Sequence, residues 1–141
     1  MAKMPPEVIA FVNEGLGQGD DPNRPVKFLA TVSNDYKVNV VVLASLMANG
    51  EETLMFSDLF LGKTKQNLQV NKQVSVAVVK PPDKGVQIKG TVSEWHTSGP
   101  LFKMIQSMAY QRMPTSILGV IVVKVDEVYS LAPGDAGKKI V

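Results

Sequence analysis

The triplet Gly62-Lys63-Thr64 is where the chain comes nearest to a chemical motif. It stands between a strand-like apolar segment and a helix-like one. A helix start exposes backbone N–H groups at the positive end of the peptide dipoles, which makes it an anion site. Lys63 and Lys65 place two ammonium groups within one turn, and Thr64 adds a hydroxyl. Acidic residues are the electrostatically favoured choice at a helix N-terminus, so lysines there point either to a bound anion or to water. The wider run Ser57-Asp58-Leu59-Phe60-Leu61-Gly62-Lys63-Thr64 ends like a P-loop but carries Ser57 where the first glycine belongs. A later run, Val120 to Asp126, imitates an apolar strand closed by a magnesium-binding aspartate. The chain lacks the crossover helices of a nucleotide triphosphatase fold, so the P-loop reading is set aside.

Other constellations are weaker. Gly15-x-Gly17-x-Gly19 follows a helix-like segment and precedes Asp20-Asp21-Pro22, the reverse of a dinucleotide fingerprint, and reads as a loop. His96 is the single histidine, beside Trp95 at the end of a strand-like run, and reads as packed or surface rather than catalytic. The adjacent Glu51 and Glu52 fall in a turn. With no cysteine at all, thiolate metal sites, iron–sulfur clusters, Cys nucleophiles and disulfides are excluded.

The elements that must position these residues follow from periodicity. Pro5-Pro6-Glu7 with Val8, Phe11 and Val12 predicts a short amphipathic helix, and Gly15 to Pro25 a polar loop. From Val26 the period changes to two, with Val26, Phe28, Ala30 and Val32 alternating against Lys27, Leu29, Thr31 and Ser33. Asn34-Asp35-Tyr36 turns this strand into a second one from Val38 to Ala44. Thr53 to Ser57 is a third. Lys63 to Val70 is a helix whose inward side carries Leu68 and Val70. Val74, Val76 and Val78 mark a fourth strand, Val86 to Trp95 a fifth, and Ile117 to Val128 the last. A helix from Pro100 to about Gln111 presents Leu101, Ile105, Met108 and Ala109.

Hairpin-length connections require antiparallel pairing, so the expectation is a mainly β (α+β) fold, a six-stranded antiparallel split barrel with short flanking helices. It forms one domain over 1–141, with an N-terminal helix and loop over 1–25 and a tail over 133–141. Two runs, Val38–Leu43 and Ile117–Val125, read as strands covered on both faces. A second copy of the chain is the simplest cover for them, hence a homodimer. In the 141 residues, 45% are hydrophobic and 20% charged, with a net charge of +2, which is globular composition. Thirteen lysines against two arginines, scattered, argue against a nucleic-acid face. No apolar run is long enough to span a membrane, and Met1-Ala2-Lys3 leads to Pro5-Pro6 rather than to a signal segment, so the expected setting is cytoplasmic, without membrane contact.

The ordered set Phe28-Leu29-Ala30-Thr31-Val32, Asn39-Val40-Val41-Val42, Thr53-Leu54-Met55-Phe56-Ser57-Asp58 and Lys63-Thr64-x-x-Asn67-Leu68 resembles the pyridoxamine 5′-phosphate oxidase-like family of FMN-binding split barrels. Val74-Ser75-Val76, Gln87 to Thr91, Thr97 to Pro100 and Val122 to Tyr129 continue the likeness, which covers roughly residues 26 to 134 and leans toward the family's small FMN-binding proteins. The resemblance implies a homodimer with FMN near the subunit interface, working in electron or hydride transfer. It implies that Lys63 and Thr64 hold the phosphate and that Ser57 and Asp58 lie along the ribityl chain and ring edge. Asn39, Val40, Val41 and Val42 would offer backbone groups and apolar surface to the ring, with Asn67 nearby. Residues from Trp95 to Pro100 would approach from the partner subunit. The family's oxidase clamps its phosphorylated substrate with Arg and His residues, and here only Arg24 and Arg112 are available, so pyridoxamine phosphate oxidation is not expected. A deazaflavin-dependent reductase and a non-enzymatic flavin- or anion-binding module are the alternatives, since relatives with this barrel bind deazaflavin or haem.

Overall fold

A computed structural model describes residues 2–16, 21–59, 61–112 and 115–141. Gly17 and Gly19 of the glycine-rich loop, and Phe60 of the P-loop-like run, lie outside them. The chain opens with helix α1 (Pro6–Asn13), started by proline where no amide partner is needed, with Val8 and Val12 buried. Strands β1 (Val26–Val32) and β2 (Val38–Val42) form the expected hairpin. A two-residue strand β3 (Met47–Ala48) then pairs with β4 (Thr53–Asp58). Helix α2 (Lys63–Val70) leads into β5 (Gln73–Lys80) and the long β6 (Lys84–His96). Helix α3 (Pro100–Arg112) and β7 (Gly119–Ser130) follow.

The strand order is β2-β1-β5-β6-β7-β4-β3, and all of these pairings are antiparallel. The end strands β2 and β3 do not pair, so the sheet curls around its core without closing. Seven strands stand where six were expected. The addition is β3, too short for an alternation to show in sequence, held by Met47 opposite Met55 and Ala48 opposite Leu54. The C-terminal tail also departs from expectation, because it returns to β7: Ile140 N–H donates to the Val128 carbonyl at 2.7 Å.

Inside the curl, Leu29, Leu54, Phe56, Val76, Ile88, Ile121 and Val123 are sealed from solvent. Burying side chains of this size contributes about 1.5–3 kcal/mol each. On β5 the alternation holds as read, with Val74, Val76 and Val78 inward. The register of β6 against β7 slips at Lys89/Gly90. A Cβ at Gly90 would lie 2.5 Å from Val123 Cγ1, so this close crossing requires glycine.

The two doubly apolar runs resolve differently from expectation. The outward side chains of β7, Val120 and Val122, are covered by the chain's own helix α3 through Ile105, with Leu101 and Phe102 beside it. No second copy is needed there. On β2 the inward residues are half-buried, whereas Val38, Val40 and Val42 are 77%, 62% and 66% exposed. Val70, placed inward by helical period, is exposed because α2 turns only Thr64, Asn67 and Leu68 toward the sheet.

Candidate functional site

Helix α2 bridges the opening between the hairpin and the end of β4. Its N-cap is Gly62 at φ 53°, a left-handed-side conformation that side chains resist, and no side chain caps the first turn. A Cβ at Gly62 would meet nothing within 4 Å among the described residues, so it is the backbone angle and not lack of room that favours glycine here. Lys63 is exposed there and has no ion pair among the described residues. Lys65 is committed elsewhere: its ammonium lies 2.8 Å from Asp58 Oδ2 at the end of β4. Asp58 is 1% exposed, and that oxygen has no aligned hydrogen bond, so the lysine charge is what balances the buried carboxylate.

The other flank of α2 is held by hydrogen bonds. Asn39 Nδ2 on β2 donates to Thr64 Oγ1 at 3.2 Å, and Asn67 Nδ2 donates to Thr31 Oγ1 on β1 at 3.0 Å. Thr64, Asn67 and Thr31 are all buried. Thr64 and Asn67 therefore face the sheet, and Lys63 alone of the Lys-Thr pair is presented to solvent.

Next to the helix start lies a cavity of about 360 Å³. Val41 and Val42 wall one side, Leu59 and Leu61 the side that runs up to Gly62, and Ala109 and Ile117 close it from α3 and the approach to β7. Among the described residues, Ser45, Ser57 and Thr115 are its polar side chains and no titratable side chain lines it. Ser45 Oγ accepts from the Ser57 amide at 3.1 Å, which ties the turn after β2 to β4. Along β2, Leu43 N–H donates to the Lys27 carbonyl at 2.9 Å, so alternate residues point their main-chain groups at β1. The N–H and C=O of Val40 and Val42 consequently point to the unpaired edge of the sheet.

Of the residues singled out in sequence, Val41, Val42 and Ser57 meet in the cavity wall, Lys63 follows two residues after the lining Leu61, and Asn39, Thr64 and Asn67 join in the attachment of α2. Val40 brings main-chain groups to the edge, while Asp58 lies off the cavity. Sequence reasoning missed Thr31 and Ser45 as parts of this region: the alternation of β1 set Thr31 against the apolar face of Val26, Phe28, Ala30 and Val32, whereas the structure buries the side of Lys27, Leu29 and Thr31. It also missed Ala109, Thr115 and Ile117, which reach the cavity only through the docking of α3. His96 lies away from it, its Nε2 3.0 Å from Glu94 Oε1. Among the described residues no cluster of three metal-ligating side chains occurs, and no helix is long and apolar enough to cross a membrane.

Comparison with known proteins bears on this arrangement. The family model described as pyridoxamine 5′-phosphate oxidase matches residues 20–132. An uncharacterized protein of Methanocaldococcus jannaschii is 30% identical over 119 residues, which cover 82% of this chain and 79% of that one. HupZ of Group A Streptococcus superposes with a TM-score of 0.78 at 20% identity, covering 95% of this chain and 98% of that one. An FMN-binding protein from Syntrophomonas wolfei gives 0.74 at 17% identity, over 89% and 88% of the two chains. HutZ, the heme storage protein of Vibrio cholerae, gives 0.62 at 16%, over 91% and 94%. At these identities the solved structures establish a shared fold.

Proposed function

The chain belongs to the pyridoxamine 5′-phosphate oxidase family, and from that premise we propose that it is an FMN-binding flavoprotein working in hydride or electron transfer, as a homodimer. The observation that carries the reading is the continuity at Leu61: an apolar cavity of about 360 Å³ ends against an uncapped helix start that presents an unpaired lysine. A flat apolar ring joined to a dianion needs those two environments side by side. Lys63 and the first-turn amides of α2 other than that of Thr64, whose N–H donates to the Leu61 carbonyl at 3.0 Å, hold the phosphate. Val41, Val42, Leu59, Leu61 and Ile117 pack against the ring and exclude water from it. The edge N–H and C=O groups of Val40 and Val42 supply hydrogen bonds to its polar rim. FMN, when bound, supplies the redox chemistry; the chain positions it.

Among the described lining residues no side chain can act as an acid or base and none is cationic, so none of them offers a hold for a second phosphorylated ligand. That argues against the oxidation of pyridoxamine phosphate. The exposed row Val38, Val40 and Val42, continued by Phe28, Ala30 and Val32 on the same face of β1, supports pairing with a second copy. The test is the visible spectrum of the purified chain, followed by titration with FMN, deazaflavin and haem. A preparation whose released chromophore is FMN, or one that takes up FMN in preference to the other two, is the expected result. Preferential uptake of haem or deazaflavin, or no uptake of any, overturns it.

A further inference from the structure

Thr31 and Asn39 are directly opposite one another on β1 and β2. Thr64 and Asn67, three apart on α2, lie on one face of that helix. The two hydrogen bonds already described join these pairs into a square, Thr31 to Asn67 and Asn39 to Thr64. One side of the square is the strand pair whose outer strand walls the cavity. The other side is the helix whose first residue offers the free lysine. We propose that Thr31 is a positioning residue, which with Asn67 fixes the distance between the phosphate end of the site and the wall for the ring. This rests on the FMN reading above and extends it to a residue that touches neither end of the ligand.

The reasoning is geometric. A ligand with two recognised ends joined by a spacer gains from both ends only if their separation matches the spacer. The Lys65–Asp58 ion pair and the buried Leu68 hold α2 to β4 and the core, while the Asn39–Thr64 bond sets one polar contact with the hairpin, about which the hairpin can still shift relative to the helix. The second bond, one helical turn along and buried at both ends, removes that freedom. Cutting it leaves the lysine, the amides and the apolar wall intact and loosens only their spacing. It also strands the Asn67 amide in the interior, so the helix shifts to regain a partner.

The experiment uses Thr31→Val, which removes the hydroxyl at nearly constant volume, with Thr31→Ser as the rescue and Asn67→Ala cutting the same bond from the helix side. Affinities are measured for FMN, for riboflavin, which has the ring and spacer without the phosphate, and for inorganic phosphate by competition. The expected result is a roughly tenfold loss for FMN in Thr31→Val and Asn67→Ala, changes of less than about twofold for riboflavin and phosphate, and recovery in Thr31→Ser. A merely structural role weakens all three ligands alike, and that outcome overturns the proposal, as does failure of both Thr31→Val and Asn67→Ala to fold. If the unaltered chain binds no FMN, the functional reading falls. If it binds FMN and Thr31→Val binds it equally well, only the positioning role falls.

Discussion

At Lys63 the functional reading reduces to a difference between two ligands. FMN and riboflavin share ring and spacer, and only FMN brings a phosphate to the start of α2. Lys63→Ala is expected to weaken FMN by about 1.5–3 kcal/mol while leaving riboflavin within error, measured by fluorescence titration. Equal losses for both show that the lysine is not the anchor. A second residue-level expectation concerns the hairpin turn. Asp35 accepts a hydrogen bond from the Ser33 hydroxyl, and this holds its carboxyl below the ordinary value of 3.8. Because the folded value is depressed, its contribution to the turn is present above pH 3.8 and is lost as the pH falls through the folded value. An NMR titration should place Asp35 below its ordinary value, and Ser33→Ala should bring it back up.

At the scale of elements, α3 does two things with one face. Ile105 is 7% exposed and packs on Val120 and Val122, while Ala109, one turn further, closes the cavity. Ile105→Ala is therefore expected to lower stability by about 2–4 kcal/mol, seen in denaturant unfolding, and to weaken FMN as well because the wall retreats. Met104 is half-exposed on the same helix, and Met104→Ala should change stability by no more than about 0.5 kcal/mol. If Met104→Ala proves as damaging as Ile105→Ala, the outward side of the helix is covered by something else. This is also where sequence reading went astray: the Ile117–Val125 run was correctly seen as apolar on both sides, but its cover was assigned to a second copy. Amphipathic period in residues 100–111 showed that the helix had an apolar face. It could not show which strand that face would meet.

For the whole molecule, β1 and β2 present an uncovered apolar face among the described residues. Val38, Val40 and Val42 stand outward in register with Val32, Ala30 and Phe28. A lysine at the middle of such a face would have to be buried unpaired on association. Val40→Lys is expected to turn a sedimenting dimer into a monomer, and to reduce FMN affinity if the partner helps enclose the site. A wild-type chain that sediments as a monomer at micromolar concentration removes the dimer from the proposal.

Much that is local was readable from residue order. The period of two over Val74–Val78, the turn at Asn34 to Tyr36, the helix start at Gly62 and the exposed lysine after it each depend on neighbours a few positions away. Strand β3 escaped because two residues carry no period. The fate of Thr64 and Asn67 could not be read either, since both are polar and helical period alone does not say that they face Asn39 and Thr31. That meeting depends on the register of β1 against β2 and on where α2 docks. So does the cavity, whose walls come from Val41 to Ser45, from Ser57, Leu59 and Leu61, and from Ala109, Thr115 and Ile117. Chain-local chemistry thus defined the helix turn that presents Lys63 and the alternating strands. The enclosure beside that turn and the buried square behind it arise from contacts between segments far apart in the chain, and such contacts are set by packing, which no single segment encodes.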